Sequence, residues 1–260
     1  MQLSFDLISD LHLDHQPFDC TGLPTSAICV VAGDVAEDHN STIEFLTHLS
    51  KCYQQVLYID GNSEHRHNLL DLELSQLALK HSISKLKRVQ YLYDDVVVVN
   101  GVAFIGTNGW WAFDFDSVTD ANLVAQWYQS AMNVICDPEQ IVLQSINDAA
   151  YLAHTVEKLQ THPEVRQIVV VSHTVPNPKL IEHDIELNGS YKFNVMGNRL
   201  LEAVRIVDTE SKISAWCFGH YHGAVDQVID GIRYVNNCRG RAGTQHWQYA
   251  YYPKKITITI

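Results

Sequence analysis

Five short apolar runs in this chain each end on side chains that can bind a metal ion. The runs span residues 3–8, 28–32, 55–59, 167–171 and 214–218 and are rich in residues that favour strands. The side chains at or just after their ends are Asp10 and His12, Asp34, Asn62, His173, and His220 with His222. Ligand sites in open α/β sheets gather at the carboxyl ends of strands. The pattern therefore predicts an α/β fold with a polar site at one edge of its sheets.

The segments between these runs predict helices and hairpins. Residues 38–52 have helical spacing between the second and third runs, which indicates the β-α-β order of a parallel sheet. Residues 68–88 carry leucines at helical spacing, which predicts a face packed into the core. Further helices are expected from Asp137-Pro138 to about residue 160 and over residues 197–207, with a flap over 180–194.

Two dipeptides predict hairpins. Asn100-Gly101 and Asp230-Gly231 each separate two apolar runs, which is the strongest short-range hairpin signal. Residues 256–260 alternate Ile with Thr, as in a strand with one buried face. These segments imply a second sheet that is antiparallel at least in part.

Length and charge restrict the class of protein. The 260 residues contain no linker-like stretch, so we expect one domain over 1–260. The formal charge of −12 speaks against nucleic acid as a partner, because polynucleotide binding needs a basic surface. A leader and a long apolar segment are both missing, which predicts a cytoplasmic protein without a membrane partner. The six cysteines lack paired zinc-type spacing and are expected to be free.

The polar strand ends indicate metal chemistry only when they are taken together. An Asp-x-His triplet alone is more often an incidental surface pair, and a lone His173 is usually a capping or core histidine. Seven carboxylate, amide and imidazole ligands on five strand ends suit two divalent ions, with Mn, Fe, Zn and Co as the candidates. Two such ions about 3.5–4 Å apart can generate a hydroxide and clamp the oxygens of a phosphoryl group.

The chain resembles the calcineurin-like metallophosphoesterase superfamily over residues 3–240, in five ordered motifs: Asp10-x-His12, Gly33-Asp34, Gly61-Asn62, His173 and Gly219-His220-x-His222. The resemblance implies a four-layer α/β/β/α sandwich of two facing mixed sheets with helices on both outer faces. It also implies a dinuclear metal-dependent hydrolase of a small phosphate mono- or diester, in which a bridging hydroxide attacks phosphorus.

The resemblance also implies how the ligands are shared between two divalent metal ions. One ion would be held by Asp10, His12, Asp34 and His222. The other would be held by Asp34, Asn62, His173 and His220. Asp34 would then bridge the two ions and take part directly in catalysis.

One position departs from the family pattern Gly-Asn-His-Glu/Asp. Ser63 stands where the family has the His that protonates the leaving oxygen or holds the phosphoryl group. A hydroxyl is no general acid near neutral pH, and loss of such an acid costs roughly 10²- to 10⁴-fold with a poor leaving group. Three alternatives stay open: His65, which we favour, or His67 supplies the acid; His67 is structural; or the substrate needs no acid.

The remaining hypotheses concern the substrate and the rival functions. Asn62, Arg239 and Arg241 are predicted substrate contacts, with surface arginines as an equal alternative for the latter two. The aromatics between residues 110 and 115 line the pocket or pack into the core. A catalytically weakened protein that serves as a binding scaffold is the main rival, and retention of all seven ligands argues against it. A nuclease would need a basic groove, which residues 80–88 provide only faintly.

Overall fold

Two mixed sheets form the centre of the computed structural model, which describes residues 1–66, 71–131, 136–244, 247–248 and 250–260. The first sheet contains, in spatial order, β11 (Lys254–Thr259), β1 (Gln2–Ile8), β2 (Ile28–Ala32), β3 (Gln55–Ile59) and β4 (Val89–Tyr91). The second contains β5 (Val96–Val99), β6 (Val102–Thr107), β7 (Gln167–Ser172), β8 (Ile213–Phe218), β10 (Ile232–Asn236) and β9 (Asp226–Ile229). The pairs β1–β11, β5–β6 and β9–β10 are antiparallel, and the other pairs are parallel.

The sheets face each other across an apolar layer, which we call the inter-sheet core. Phe5 and Leu57 of the first sheet and Phe104 and Val169 of the second belong to this layer. A second core lies between the first sheet and the helices α1 (His39–Cys52) and α2 (Leu72–Ile83). A third lies between the second sheet and the helices α4 (Pro138–Gln160) and α5 (Glu202–Ile206). The predicted four-layer sandwich is thus confirmed.

Local signals account for most element boundaries. The Asp38 carboxylate accepts a hydrogen bond from the Ser41 amide at 3.0 Å and caps α1. Asp137 does the same for α4, which has proline at its start. Val99 pairs with Val102 and Ile229 with Ile232, so both predicted hairpins are confirmed.

Several expectations from the sequence differ from the structure. The leucine face of residues 68–88 was expected to pack into the core, and Leu72, Leu79 and Ile83 do so, but Leu74 and Leu77 are exposed by 51% and 48%. Residues 68–70 lie outside the described part of the chain. Residues 197–207 form a 3₁₀ turn (Arg199–Leu201) followed by the short α5 rather than one helix. The C-terminal strand β11 joins the first sheet, beside β1.

A fifth helix, α3 (Ala121–Ala131), has no counterpart in the sequence predictions. Its Val124 and Tyr128 pack on Trp110, Trp111 and Phe113 in a separate small core. Among the described residues, no helix has the length and apolar character needed to cross a membrane.

Candidate metal centre

The seven predicted metal ligands converge where the carboxyl ends of five strands meet. The turns after β1, β2 and β3 carry the ligands of the first sheet, and those after β7 and β8 carry the ligands of the second. Two groups have all their candidate ligand atoms within 4.8 Å of one another: Asp10, His12 and His222, and Asp34, His173 and His220.

In the first group, imidazole and carboxylate atoms point at a common centre. The Nε2 atoms of His12 and His222 are 3.2 Å apart. Nε2 of His222 lies 3.4 Å from Oδ1 of Asp10, and Nε2 of His12 lies 3.6 Å from Oδ2 of Asp34. Ligand atoms bound to one ion at 2.0–2.2 Å are separated by roughly 3.0–3.6 Å, so these distances fit a shared ion.

The second group is built around His173. Its Nε2 lies 3.1 Å from Oδ1 of Asn62 and 3.3 Å from Oδ1 of Asp34. Asp34 thus turns Oδ1 toward this group and Oδ2 toward His12 of the first group. Its carboxylate has the position that a bridging ligand requires.

Hydrogen bonds from the far side of two imidazoles decide which nitrogen faces the centre. Nδ1 of His173 donates to the Ala32 carbonyl at 2.9 Å, which directs Nε2 at the oxygens of Asn62 and Asp34. Burial lowers the pKa of His173, but Asp34 and Asp10 raise it by more, so these acceptor oxygens suit either a proton on Nε2 or a metal ion in its place. In His220, Nε2 lies 3.0 Å from the Val195 carbonyl, and Nδ1 is the nitrogen available to a metal.

The charge states also suit a metal centre. Burial lowers the pKa of His12 to about 3 and that of His220 to about 4, so both imidazoles are neutral at pH 7. Burial raises the pKa of Asp34, but His173 and His12 lower it by more, and it falls to about 2. The pKa of Asp10 is likewise held below its ordinary value, against burial, by His222 and His173. Neutral imidazoles beside ionised carboxylates are the protonation states that bind divalent ions.

Four of the seven ligands have a left-handed backbone. The φ angles are 51° at Asp10, 44° at His12, 53° at Asp34 and 63° at His220. Such a conformation costs a non-glycine residue about 1–3 kcal/mol, and clusters of it mark functional sites. The preceding Gly219 is required because a Cβ there would lie 2.6 Å from Oδ2 of Asp10. The surrounding fold thus holds the ligands in place at a cost in stability.

Ser63, at the position where the resemblance led us to look for a histidine, supports the Asp34 carboxylate. Its amide donates to Oδ1 of Asp34 and its hydroxyl to Oδ2, both at 2.8 Å. The neighbouring Glu64 accepts hydrogen bonds from the amides of Val35 at 2.8 Å and Gly61 at 2.9 Å. Both side chains therefore join the turn after β3, which carries Asn62, to the turn after β2, which carries Asp34.

His65, the favoured acid, is not brought to the centre. Its Nε2 lies 2.8 Å from Oδ2 of Asp60 and its Nδ1 2.6 Å from the Ser75 hydroxyl. The imidazole is 2% exposed and is held between the first sheet and α2. The structure therefore gives His65 a structural environment. His67 lies outside the described residues.

A cavity of about 520 Å³ opens on the metal ligands and carries three cationic side chains, Arg66, Lys192 and Arg241. Arg66 and Arg241 share one carboxylate oxygen, Oε1 of Glu37, at 3.3 and 3.7 Å. Arg66 was missed in the sequence, although it follows Asn62 in the same turn. The residues 180–194, expected as a flap, supply Asp184, Glu186, Leu187 and Lys192 to the wall.

The other predicted arginine, Arg239, does not line this cavity. Its guanidinium donates to the carbonyls of Leu11, Gln16 and Pro17 at 2.8–3.1 Å and is 4% exposed. Arg239 therefore fixes the loop that follows β1, and the structure gives it no access to a substrate.

The aromatic stretch after β6 packs into the core, which is the second of the two alternatives. Trp110, Trp111, Phe113 and Phe115 are each at most 2% exposed. Trp111 nevertheless reaches the centre, because its ring stacks on that of His220 with centroids 5.5 Å apart. Trp111 therefore orients the imidazole of His220 and does not form a wall of the cavity.

Comparison with known proteins identifies the fold. No family model matches this chain, and no curated protein does. The crystal structure of phosphopantetheinyl hydrolase (PptH) from Mycobacterium tuberculosis matches with a TM-score of 0.71 at 18% identity, over 98% of this chain and 96% of that chain. A protein named as a putative 5′-nucleotidase from Staphylococcus aureus, in complex with alpha-ketoglutarate, matches with a TM-score of 0.50 at 16% identity, over 92% of this chain and 49% of that chain. At these identities the similarity shows a shared fold.

Proposed function

We propose that this chain is a dinuclear metal-dependent phosphoesterase that hydrolyses a small phosphate mono- or diester. The observation that carries the proposal is the convergence of seven oxygen and nitrogen ligands in two groups that share Asp34. The names of the two structural neighbours, a hydrolase and a nucleotidase, support the same class of reaction.

In this proposal Asp10, His12, Asp34 and His222 hold one ion, and Asp34, Asn62, His173 and His220 hold the other. Two divalent ions would supply Lewis acidity, which lowers the pKa of a water nucleophile and neutralises phosphoryl oxygens. Manganese, iron, zinc and cobalt all suit this donor set.

The substrate is recognised by its phosphate. Arg66, Arg241 and Lys192 place positive charge at the cavity, although the chain as a whole carries a formal charge of −12. Both guanidinium groups contact Glu37, so an incoming phosphate exchanges with that carboxylate for bidentate hydrogen bonds. A volume of about 520 Å³ suits a small molecule.

In the described part of the turn after β3, no imidazole gives a proton to the leaving group. Ser63 is hydrogen-bonded to Asp34, and both ring nitrogens of His65 are engaged elsewhere. We therefore favour a substrate with a good leaving group among the three alternatives. The rate of hydrolysis should depend steeply on the pKa of the leaving alcohol across a series of aryl and alkyl phosphate esters.

The test combines metal analysis with hydrolysis. Asp34→Asn should lose both ions and all hydrolysis of nitrophenyl esters, because one change weakens both ligand groups. Asp38→Asn is the matched control, since Asp38 caps α1 outside the centre and Asn caps a helix equally well. Full activity in Asp34→Asn would refute the dinuclear proposal. A wild type that binds two ions yet hydrolyses neither mono- nor bis-nitrophenyl phosphate would favour the scaffold function.

A further inference from the structure

A second group of metal-competent side chains lies outside the proposed dinuclear centre. Cys20 belongs to the loop between β1 and β2, and His48 and Cys52 lie one turn apart at the end of α1. Candidate ligand atoms of these three residues all lie within 4.8 Å of one another. None of the three contributes to the phosphoesterase site.

A fourth side chain, Asp19, contacts the group through His48. Oδ1 of Asp19 lies 3.2 Å from Nε2 of His48. The same oxygen accepts hydrogen bonds from the amide and hydroxyl of Thr21, at 2.9 and 2.7 Å, which hold the carboxylate in this orientation. Two thiols and an imidazole therefore surround one point at the surface end of α1, and Asp19 orients the imidazole.

A small movement of the thiols would give the spacing of a tetrahedral zinc site. Around zinc, two sulfur ligands are separated by roughly 3.8 Å. The Sγ atoms of Cys20 and Cys52 are 2.9 Å apart and must separate by about 0.9 Å. Cys52 has room for this movement because it is the partly exposed last residue of α1.

We propose that Cys20, Cys52 and His48 bind one zinc ion in a structural site separate from the dinuclear centre, with Asp19 orienting His48 and water completing the coordination. Thiolate ligands select zinc over the harder ions Mn²⁺ and Mg²⁺. Binding replaces the two thiol protons, which pass to solvent, by two zinc–sulfur bonds.

A disulfide between the two cysteines explains less of the structure. It would give no role to His48, which offers a ligand atom within 4.8 Å of those of both thiols.

The site would join the loop that follows the ligand His12 to the first outer helix. Arg239 already holds that loop through the carbonyls of Gln16 and Pro17. Zinc at Cys20 would anchor the next part of the loop, so one metal would stabilise the segment leading away from His12.

Cobalt reports this site selectively, because only cysteine ligands produce thiolate-to-cobalt charge transfer in the near ultraviolet. The full chain, purified under a phosphine reductant and stripped of metal, is titrated with Co²⁺. The wild type should develop the charge-transfer band and lose it when Zn²⁺ is added. Cys52→Ser should lose the band and one equivalent of metal, while keeping the visible bands of cobalt at the Asp and His ligands. Those bands also show that the variant has folded.

Two further variants sharpen the test. Cys136→Ser, which changes a partly buried cysteine outside the group, should keep the full band. His48→Ala should bind cobalt at least tenfold more weakly, with a shifted band. The proposal is overturned by a wild type without the band or by a band that survives Cys52→Ser. In air, bound Zn²⁺ should protect both thiols from oxidation. If two titratable thiols are lost in air even with Zn²⁺ present, the pair forms a disulfide instead.

Discussion

Removal of the Ser63 hydroxyl tests whether this side chain has taken on the support of the bridging carboxylate. The hydroxyl donates to Oδ2 of Asp34 at 2.8 Å in a fully buried environment, and the Ser63 amide holds Oδ1 at the same distance. Ser63→Ala therefore removes one of two hydrogen bonds that orient the carboxylate. A buried hydrogen bond to a charged group contributes about 1.5–3 kcal/mol.

The expected result follows from that magnitude. Loss of the hydroxyl lets the carboxylate rotate out of the plane that directs one oxygen at each ligand group, and loss of such outer contacts typically weakens metal affinity by about 10- to 100-fold. Competition with a fluorescent chelator measures the affinity for Mn²⁺ or Zn²⁺. Hydrolysis at saturating metal should recover most of the wild-type rate, because no proton passes through Ser63.

Ser145→Ala is the matched control. Ser145 is also fully buried, and its hydroxyl donates within α4 to the Val142 carbonyl at 2.7 Å. This variant should bind metal as the wild type does. Metal affinity in Ser63→Ala that equals or exceeds that of the control would refute the role assigned to Ser63.

Three further predictions follow from the same contacts. His65→Ala should lower the melting temperature and slow alkyl and nitrophenyl esters equally, because His65 is held away from the cavity; selective slowing of alkyl esters would restore it as the acid. Arg239→Ala should lower the melting temperature by roughly 5 °C or more without changing KM, because Arg239 holds a loop. Arg241→Ala should raise KM about tenfold without changing stability, because Arg241 lines the cavity. The reverse outcome would contradict both assignments. Burial raises the pKa of Asp148 from its ordinary value to about 7, so the stability that its protonated form provides is complete below pH 4 and is lost as pH rises to 7. In urea unfolding, the free energy of unfolding of Asp148→Asn should therefore rise by a few kcal/mol relative to the wild type between pH 4 and pH 7. A difference that does not change with pH would count against the raised pKa of Asp148.

Much of the fold could be predicted because its signals are local. The strands β2 and β3 and the helix α4 begin and end within a residue of their predictions, since continuous apolar runs and an Asp-Pro start depend only on neighbouring residues. Both hairpins were predicted from a single dipeptide each. The partial burial of α2 could not be, because it depends on how far the helix extends over the sheet edge at β4.

The candidate site, like the fold, could be predicted only in part. The strand-end motifs predicted which side chains meet, because parallel strands of one sheet end at one edge. They did not predict that Ser63 and His65 turn away from the cavity, since those orientations depend on Asp34, which lies on another turn, and on Ser75, which lies on α2. Cys20 and Cys52 lie 32 residues apart, so no spacing motif could pair them.

The inter-sheet core has a consequence for the candidate metal centre as well as for stability. Asp10 and Asp34 follow strands of the first sheet, whereas His173 and His220 follow strands of the second. The separation of the ligands is therefore determined by the thickness of the apolar layer, for example where Phe5 and Phe104 meet edge to face with centroids 5.3 Å apart. A methylene gained or lost there would change the spacing between the two groups of candidate ligands without touching any of them. The geometry of the site thus depends on apolar side chains that lie outside it.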